Sequence, residues 1–142
     1  MERTVPAPCI QPASVEDTRA VFAGLLAFNQ TASGDALEDQ PVNRVIHDAA
    51  GQVVAGIVAD VCGGWLMVHA LWVDDTQRGR GLGKALLADA ERQARALGAH
   101  SVTLDTFSWQ AEGFYLKQGY AEFGRLQHFP PGHQRLYLHK RL

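Results

Sequence analysis

The chain is poor in cysteine and has no long apolar run. Only Cys9 and Cys62 occur. They form no CxxC pair and no ligand spacing, so neither a disulfide framework nor a Cys-based metal centre is expected, and both read as reduced thiols. No stretch approaches the ~20 consecutive apolar residues of a membrane span. The opening MERTVPAPCIQPAS lacks the apolar core of a signal peptide. The expectation is a cytoplasmic protein with no membrane partner. A basic excess is also missing: the net charge is −2 and the pI about 6.3. That argues against nucleic acid as the main partner.

What remains is ordinary for a soluble fold: 142 residues, 46% hydrophobic and 20% charged. Such a chain buries a core without staples and is expected to be one domain over residues 1–142. There are no internal repeats, low-complexity tracts or linkers.

Positive charge is gathered in one place. Val73-Asp74-Asp75-Thr76-Gln77-Arg78-Gly79-Arg80-Gly81-Leu82-Gly83-Lys84 joins an apolar run, Trp65–Val73, to an amphipathic stretch. A strand entering a Gly-rich turn at a helix start is suited to an anion. Glycine allows φ > 0 and close approach of a ligand. The first helical N–H groups have no partner within the helix, and the macrodipole adds partial positive charge there. The turn therefore reads as a phosphate site.

Around it the chain orders as follows. Residues 1–13 carry Pro6, Pro8 and Pro12 and read as an extended lead-in with one short strand at Cys9–Gln11. Ser14 is an N-cap followed by Glu16 and Asp17. Val21, Phe22, Leu25, Leu26 and Phe28 predict a helix from Val15 to about Asn29. Residues 30–41 read as a polar loop with one helical turn near Asp35–Asp39. Strands are expected at Val42–Ala49, Gln52–Val61 and Trp65–Val73, with turns at Ala50-Gly51 and Gly63-Gly64, which makes them antiparallel neighbours. Leu82, Ala85, Leu86, Ala90, Ala94 and Leu97 follow a helical period, with Asp89, Glu91, Arg92 and Arg95 mostly on other faces and Gly98 at C′. A strand at His100–Phe107, a short helix at Gln110–Gln118 closed by Gly119, and strands at Tyr120–Leu126 and Gln134–His139 complete the chain, the last two flanking the loop Phe129–Gly132. The strand–helix–strand step over 65–107 implies one parallel pair in a mixed sheet. The fold class is α/β with a mixed sheet.

Several Gly-rich patterns compete for the turn. A P-loop needs GxxxxGK followed by Ser or Thr; Gly79 to Lys84 is too short and Ala85 follows. A dinucleotide fingerprint needs GxGxxG; Gly79, Gly81 and Gly83 give GxGxG, with Lys84 at the last required position. Asp105 does lie at about the right distance for a ribose-binding acid, but the meander before the turn and the short chain argue against this reading. A purely structural turn leaves the interleaved Arg78, Arg80 and Lys84 unexplained.

Arg78-Gly79-Arg80-Gly81-Leu82-Gly83 resembles the R/Q-x-x-G-x-G/A signature of the GNAT acetyltransferase superfamily. Ala111, Phe114, Tyr115, Gly119 and Tyr120 resemble that family's A-x-x-F/L-Y-x-x-x-G-F/Y element, and the spacing between the two fits. The likeness covers residues 42–126 well and the rest more loosely. It implies a mixed, mostly antiparallel twisted sheet, splayed around a coenzyme A site and flanked by helices. The activity implied is an acetyl-CoA-dependent N-acetyltransferase, with acetyl-CoA as donor and no metal.

By that resemblance, the backbone of residues 78–84 (Arg78, Gly79, Arg80, Gly81, Leu82, Gly83, Lys84) holds the pyrophosphate, with Arg78, Arg80 and Lys84 adding charge. The pantetheine arm pairs with Leu71, Trp72 and Val73, where a backbone N–H polarises the thioester carbonyl. Ser108, Ala111, Phe114 and Tyr115 complete the donor site, and Tyr115 protonates the departing thiolate. Of the Phe114–Tyr115 pair, Phe114 is the expected core member.

The family's usual glutamate base is missing, since no Glu occurs from Gln52 to Val73. Strict alternation puts His69 on one face with Met67 and Leu71, and imidazole suits a base or a water relay. Ser108 stands where many relatives carry Asn. Phe28, Trp65, Phe107 and Phe129 are acceptor-site candidates. Trp109 and Phe129 either stack on a substrate ring or cap the core. Asp35, Glu38 and Asp39 either attract a cationic amine or are simply solvated. His128 and His133 lack partners at metal-ligand spacing. The expected partner is a small-molecule amine, aminoglycoside-like or another antibiotic amine. A protein lysine or N-terminus as acceptor, or a non-catalytic acyl-CoA sensor, are the alternatives. A homodimer is compatible with the family.

Overall fold

The computed structural model describes residues 6–142, which divide into two compact units, one ending at Leu37 and one spanning Glu38–Leu142. In the first, residues 6–14 have no regular structure, so the strand expected at Cys9–Gln11 does not form. The prolines around it have no N–H to donate to a ladder. The part of the lead-in over residues 1–5 lies outside the described residues.

Helix α1 spans Val15–Ser33 and starts on a capping box. The Asp17 N–H donates to the Ser14 hydroxyl at 3.1 Å, and the Ser14 N–H donates to the Asp17 carboxylate at 2.8 Å. It runs past the expected end near Asn29. There Thr31 and Ser33 turn their hydroxyls back onto the carbonyls of Ala27 and Asn29, at 3.1 and 2.7 Å. These bonds satisfy polar side chains without breaking the helix. Gly34, at φ 60°, ends it. Residues 34–37 are turn rather than helix.

The second unit runs β1 (Gln40–Pro41), β2 (Arg44–His47), β3 (Val53–Cys62), β4 (Trp65–Val73), a 3-10 turn (Asp75–Gln77), α2 (Leu82–Ala96), β5 (Ser101–Phe107), α3 (Glu112–Lys117), β6 (Ala121–Gln127) and β7 (Gln134–Arg141). These strands form one seven-stranded sheet ordered β1-β3-β4-β5-β7-β6, with β2 also paired to β3. The strand expected over Val42–Ala49 is shorter, Arg44–His47, and β1 is a separate two-residue strand before it. Asn43 accepts the Ala59 N–H with its side-chain oxygen at 3.1 Å, so a side chain stands where a ladder carbonyl would.

Gly63 and Gly64, at φ 56° and 82°, close β3 onto β4 in a two-residue loop with Cys62 opposite Trp65. Both loop positions need φ > 0, which is why two glycines stand there. Every neighbouring pair is antiparallel except β4 with β5. That exception is the parallel pair implied by the crossover.

Two irregularities in β4 shape the molecule. Val58 pairs with Ala70 and Ala59 with Val68, so His69 is an extra residue, a β-bulge. Pairing with β5 covers only Trp65–Val68 against Ser101–Leu104. Beyond Val68 the two strands part. The bulge also shifts the side-chain phase. Leu71 pairs with buried Ile57, while Met67 pairs with Asp60. Met67 and Leu71 therefore face opposite sides, contrary to strict alternation.

Helix α2 covers one sheet face with Leu86, Leu87, Ala90 and Ala94, packed in one core with Ile57, Leu66, Val102 and Leu138. It ends as its sequence predicts. Gly98, at φ 87°, occupies C′, and the Ala99 N–H reaches back to the Ala94 carbonyl at 2.9 Å. Glu91 departs from expectation. It is 6% exposed, one turn from Leu87, and faces inward. The Tyr120 hydroxyl donates to it at 2.8 Å and the Lys140 ammonium at 3.1 and 3.0 Å. Burial, then the Glu91 charge beside it, raises the Tyr120 phenol strongly, so it remains a donor.

This buried triad ties α2 to β7 and to the residue before β6. Tyr120→Phe is expected to lower unfolding free energy by about 1.5–3 kcal/mol, the range for hydrogen bonds to charged groups. Lys140, partly exposed, should matter less when changed to Met. Urea unfolding of both variants checks this; a Tyr120→Phe loss smaller than that of Lys140→Met would show the phenol is not the anchor.

Candidate functional site

A cleft of about 910 Å³ opens where β4 and β5 diverge. Its walls are residues 68–73 of β4 and 104–107 of β5. The Gly-rich turn with the start of α2 closes one side, and Trp109, Gln110, Ala111, Phe114 and Tyr115 close another. Beyond Val68 the β5-facing edge of β4 has no strand partner, so its main-chain groups are available to a ligand with peptide-like hydrogen bonding.

The geometry of the turn suits an anion. Asp74 caps the 3-10 turn, accepting from the Thr76 N–H at 3.2 Å and from the Thr76 hydroxyl. Gly79 and Gly81 sit at φ 78° and 74°. Gly81 is the N-cap of α2 and brings no side-chain cap, so the N–H groups of the first turn keep free valences. The first main-chain bond back to the cap is Ala85 N–H to Gly81 C=O at 3.0 Å. A Cβ at Gly79 or Gly81 would meet nothing within 4 Å, so space above the backbone is open.

The cations divide. Lys84 lines the cleft. Arg78 also lines it, but its guanidinium turns back to the Val73 carbonyl at 3.4 Å and to Asp75 at 2.9 Å. Arg80 bonds Gln77 within the turn and is not on the wall.

At the other side stand the groups able to move protons. Tyr115 is 7% exposed, its ring edge-on to Phe114 and Tyr120 at 5.1 and 5.8 Å. It is thus the more buried of the Phe114–Tyr115 pair, reversing the expected order. Its hydroxyl makes no hydrogen bond among the described residues. Among the described residues no fully buried side-chain oxygen lacks a partner, so this hydroxyl keeps some exposure, on a residue that lines the cleft. Burial, and secondarily the charge of Asp105, push its pKa up to about 12. The phenol stays protonated at neutral pH.

His69, extruded by the bulge and half-exposed, reaches the Asp60 carboxylate through Nε2. Sequence reasoning did not pair the two, although the hairpin register allowed it. The Gly63-Gly64 hairpin sets Asp60 opposite Met67, which leaves His69 diagonally across the ladder, within side-chain reach of it.

Most of the residues named from sequence meet on this cleft: His69, Leu71, Trp72, Val73, Arg78, Gly79, Gly81, Leu82, Gly83, Lys84, Phe107, Ala111, Phe114 and Tyr115. Others do not. The Ser108 hydroxyl accepts from the Gln134 N–H at 3.1 Å, extending the β5–β7 ladder off the wall. Trp65 lies where β4 and β5 are still paired, edge-on to His100 at 5.6 Å, away from the opening. Phe129 reaches the wall only through Phe107, on which it stacks at 5.9 Å. Phe28 lies on α1, in the other unit. Gln77 and Gln110 line the cleft without having been singled out. Gln110 accepts from the Phe107 N–H at 2.8 Å and the Thr106 hydroxyl at 3.1 Å, and so fixes the end of β5. Among the described residues, no group of three His, Cys, Asp or Glu side chains could hold a metal, and no helix is long and apolar enough to cross a membrane.

Comparison with known proteins agrees with this architecture. Residues 14–120 match the profile of the Acetyltransferase (GNAT) family. An acetyltransferase of Agrobacterium fabrum is 31% identical over 129 residues, covering 91% of this chain and 93% of that protein. A blasticidin-S acetyltransferase of Streptomyces morookaense is 41% identical over 83 residues, 58% of this chain and 61% of its own. The crystal structure of an acetyltransferase from Bacillus cereus superposes with a TM-score of 0.88 at 28% identity, covering 95% and 98% of the two chains.

The Tyr115 phenol links the cleft to stability. Its pKa is raised in the fold, so its contribution is full below pH 10 and is lost as pH rises towards 12. The loss over that range amounts to about 2–3 kcal/mol. Unfolding free energies of wild type and Tyr115→Phe, measured across that range, should shift by this amount in favour of the variant; a constant difference would mean the phenol ionises as freely as in the unfolded chain.

Proposed function

The chain belongs to the GNAT acetyltransferase family, an acetyl-CoA-dependent acyltransferase, and we propose that it acetylates the primary amine of a small molecule by direct attack within the β4–β5 cleft. The observation that carries this reading is the cleft itself. It has an anion-binding helix start at one side and a protonated, open phenol at the other, joined by an unpaired strand edge. The relative named for blasticidin S supports a small-molecule acceptor.

Acetyl-CoA brings an acyl group already activated as a thioester. The N–H groups at the start of α2 and the Lys84 ammonium are suited to its pyrophosphate, and the open space above Gly79 and Gly81 leaves room for it. The free edge of β4 at Leu71–Val73 is suited to its amide-bearing arm, and a main-chain N–H there to the developing oxyanion. Tyr115 donates its hydroxyl hydrogen to the leaving sulfur and is restored by the proton that the attacking nitrogen sheds as the adduct collapses. His69, oriented by Asp60, takes the proton that an alkylammonium must lose before it can attack, since such amines are mostly protonated at neutral pH. No covalent enzyme intermediate is needed. Cys62 ends β3 at the hairpin and Cys9 precedes α1, and neither lines the cleft.

Thiol release with an amine panel tests the whole reading, and acetyl-CoA should raise the melting temperature. Tyr115→Phe is expected to lower kcat by ~10²-fold while leaving acetyl-CoA binding intact. His69→Ala should lower kcat/KM for the amine by ~10²-fold at neutral pH, the loss shrinking at high pH where the amine is already neutral. A pH-independent loss would remove His69 as the base. Gly81→Ala introduces about 1 kcal/mol of strain at its positive φ. A loss of acetyl-CoA affinity well beyond that would mark close approach of the donor to this backbone, and unchanged affinity would move the pyrophosphate elsewhere.

A further inference from the structure

Three aromatic rings stand parallel beside the cleft. Trp109 stacks on Phe107 at 4.6 Å and 5°, and Phe129 on Phe107 at 5.9 Å and 3°. Phe107 and Trp109 line the cleft. None of the three belongs to the hydrophobic core, and Trp109 and Phe129 are 52% and 41% exposed. Capping of the core therefore does not account for them. The tier is nevertheless held in place. His133 packs edge-on to Trp109 at 4.8 Å, and its loop closes on itself through the Phe129 N–H to the His133 carbonyl at 3.1 Å.

Its charge pattern is specific. The Arg135 guanidinium lies 5.4 Å from the Phe107 centroid and 5.2 Å from that of Phe129. Asp105, on the cleft wall, anchors it at 2.9 Å. A cation on a ring face already occupies the electron-rich surface that would attract another cation. Arg135 thus covers Phe107 and Phe129, and the half-exposed Trp109 is the ring of the tier left for a ligand, suited to stacking with a flat, uncharged ring.

We propose that the acetyl acceptor is an amine carrying a neutral planar ring, and that the ring stacks on Trp109, with Phe107, Phe129 and Arg135 behind it. The inference rests on the acetyltransferase reading and names the substrate class of that same site. The amine itself extends along the cleft towards Tyr115 and His69. Saturated polyamines and aminosugars, whose binding relies on cationic contacts, are poor acceptors on this view.

The test has two stages. Thermal shift with acetyl-CoA alone establishes the donor half. Thiol release is then compared between ring-bearing amines such as tyramine and tryptamine and saturated amines such as cadaverine, spermidine and kanamycin. The expected result is at least about tenfold higher kcat/KM for the ring-bearing set. Trp109→Ala should raise KM for those amines about fivefold to tenfold and leave KM for acetyl-CoA unmoved, and Trp109→Phe should restore most of the loss. Equal or better turnover of the saturated amines overturns the proposal, as does no turnover of the ring-bearing ones at millimolar concentration. Weakened acetyl-CoA binding in Trp109→Ala would also overturn it, by assigning the tier to the donor. Failure of acetyl-CoA to bind would sink the acetyltransferase reading itself; retained donor binding with the wrong acceptor preference would sink only the ring.

Discussion

The parting of β4 from β5 after Val68 is the constraint on which the site depends. Adjacent strands normally continue to exchange hydrogen bonds for as long as both remain extended. Here β4 runs on to Val73 and β5 to Phe107 with no pairing between them. An exposed edge of unpaired peptide groups is normally a liability for a sheet. In this chain it borders a cleft whose other walls are already formed. The bulge at His69 lies next to the last paired residue, and bulges bend and twist the strand that carries them. That extra residue, where β4 leaves β5, is also the one whose imidazole reaches Asp60. Backbone geometry and site chemistry thus meet at one residue.

A cleft between diverging strands is useful only if the helix that closes it is fixed. Helix α2 must hold its N-terminus at the opening while its body lies over β3 and β4. Apolar contacts through Leu86, Leu87, Ala90 and Ala94 supply adhesion but little direction. The Glu91–Tyr120–Lys140 triad supplies direction, because a buried carboxylate must keep its donors. Tyr120 also meets Tyr115 edge-on at 5.8 Å. The anchor of the helix and the phenol of the cleft are therefore neighbours in one packed group.

What could be read from the sequence, and what could not, follows from whether the cause was local. The Gly-rich turn, the Gly98 stop, the Ser14 cap and the Gly63-Gly64 hairpin are consequences of backbone preferences within a few residues, and each appears where expected. The parallel pair followed from chain connectivity. Most of the cleft wall followed from resemblance. The failures are long-range. Alternation placed His69 with Leu71 because no local signal announces a bulge. Glu91 looked solvated because its partners lie far along the chain, at Tyr120 and Lys140. Phe114 looked like the buried member of its pair because side-chain polarity, not the facing of a six-residue helix, was the only guide. Arg80 donates to Gln77 and the Ser108 hydroxyl accepts from the Gln134 N–H, and spacing alone reveals neither contact.

The raised pKa of Tyr115 refines what that residue can do on the proposed mechanism. A phenol near 12 is a far weaker acid than an ordinary thiol near 8.5. Full proton transfer from one to the other would be uphill by about 5 kcal/mol if the environment stayed unchanged. The environment does change, because negative charge grows on sulfur as the carbon–sulfur bond breaks, and a neutral donor already in position stabilises that charge without first losing its own proton. The burial that makes Tyr115 a poor acid guarantees that it is a donor at every working pH. Its role is then to hold a hydrogen bond on the leaving sulfur through the transition state, with the proton following only as far as the charge on sulfur draws it. That division matches the opposite surroundings of the two polar groups at the cleft: a phenol kept neutral by burial, and an imidazole half in water beside a carboxylate.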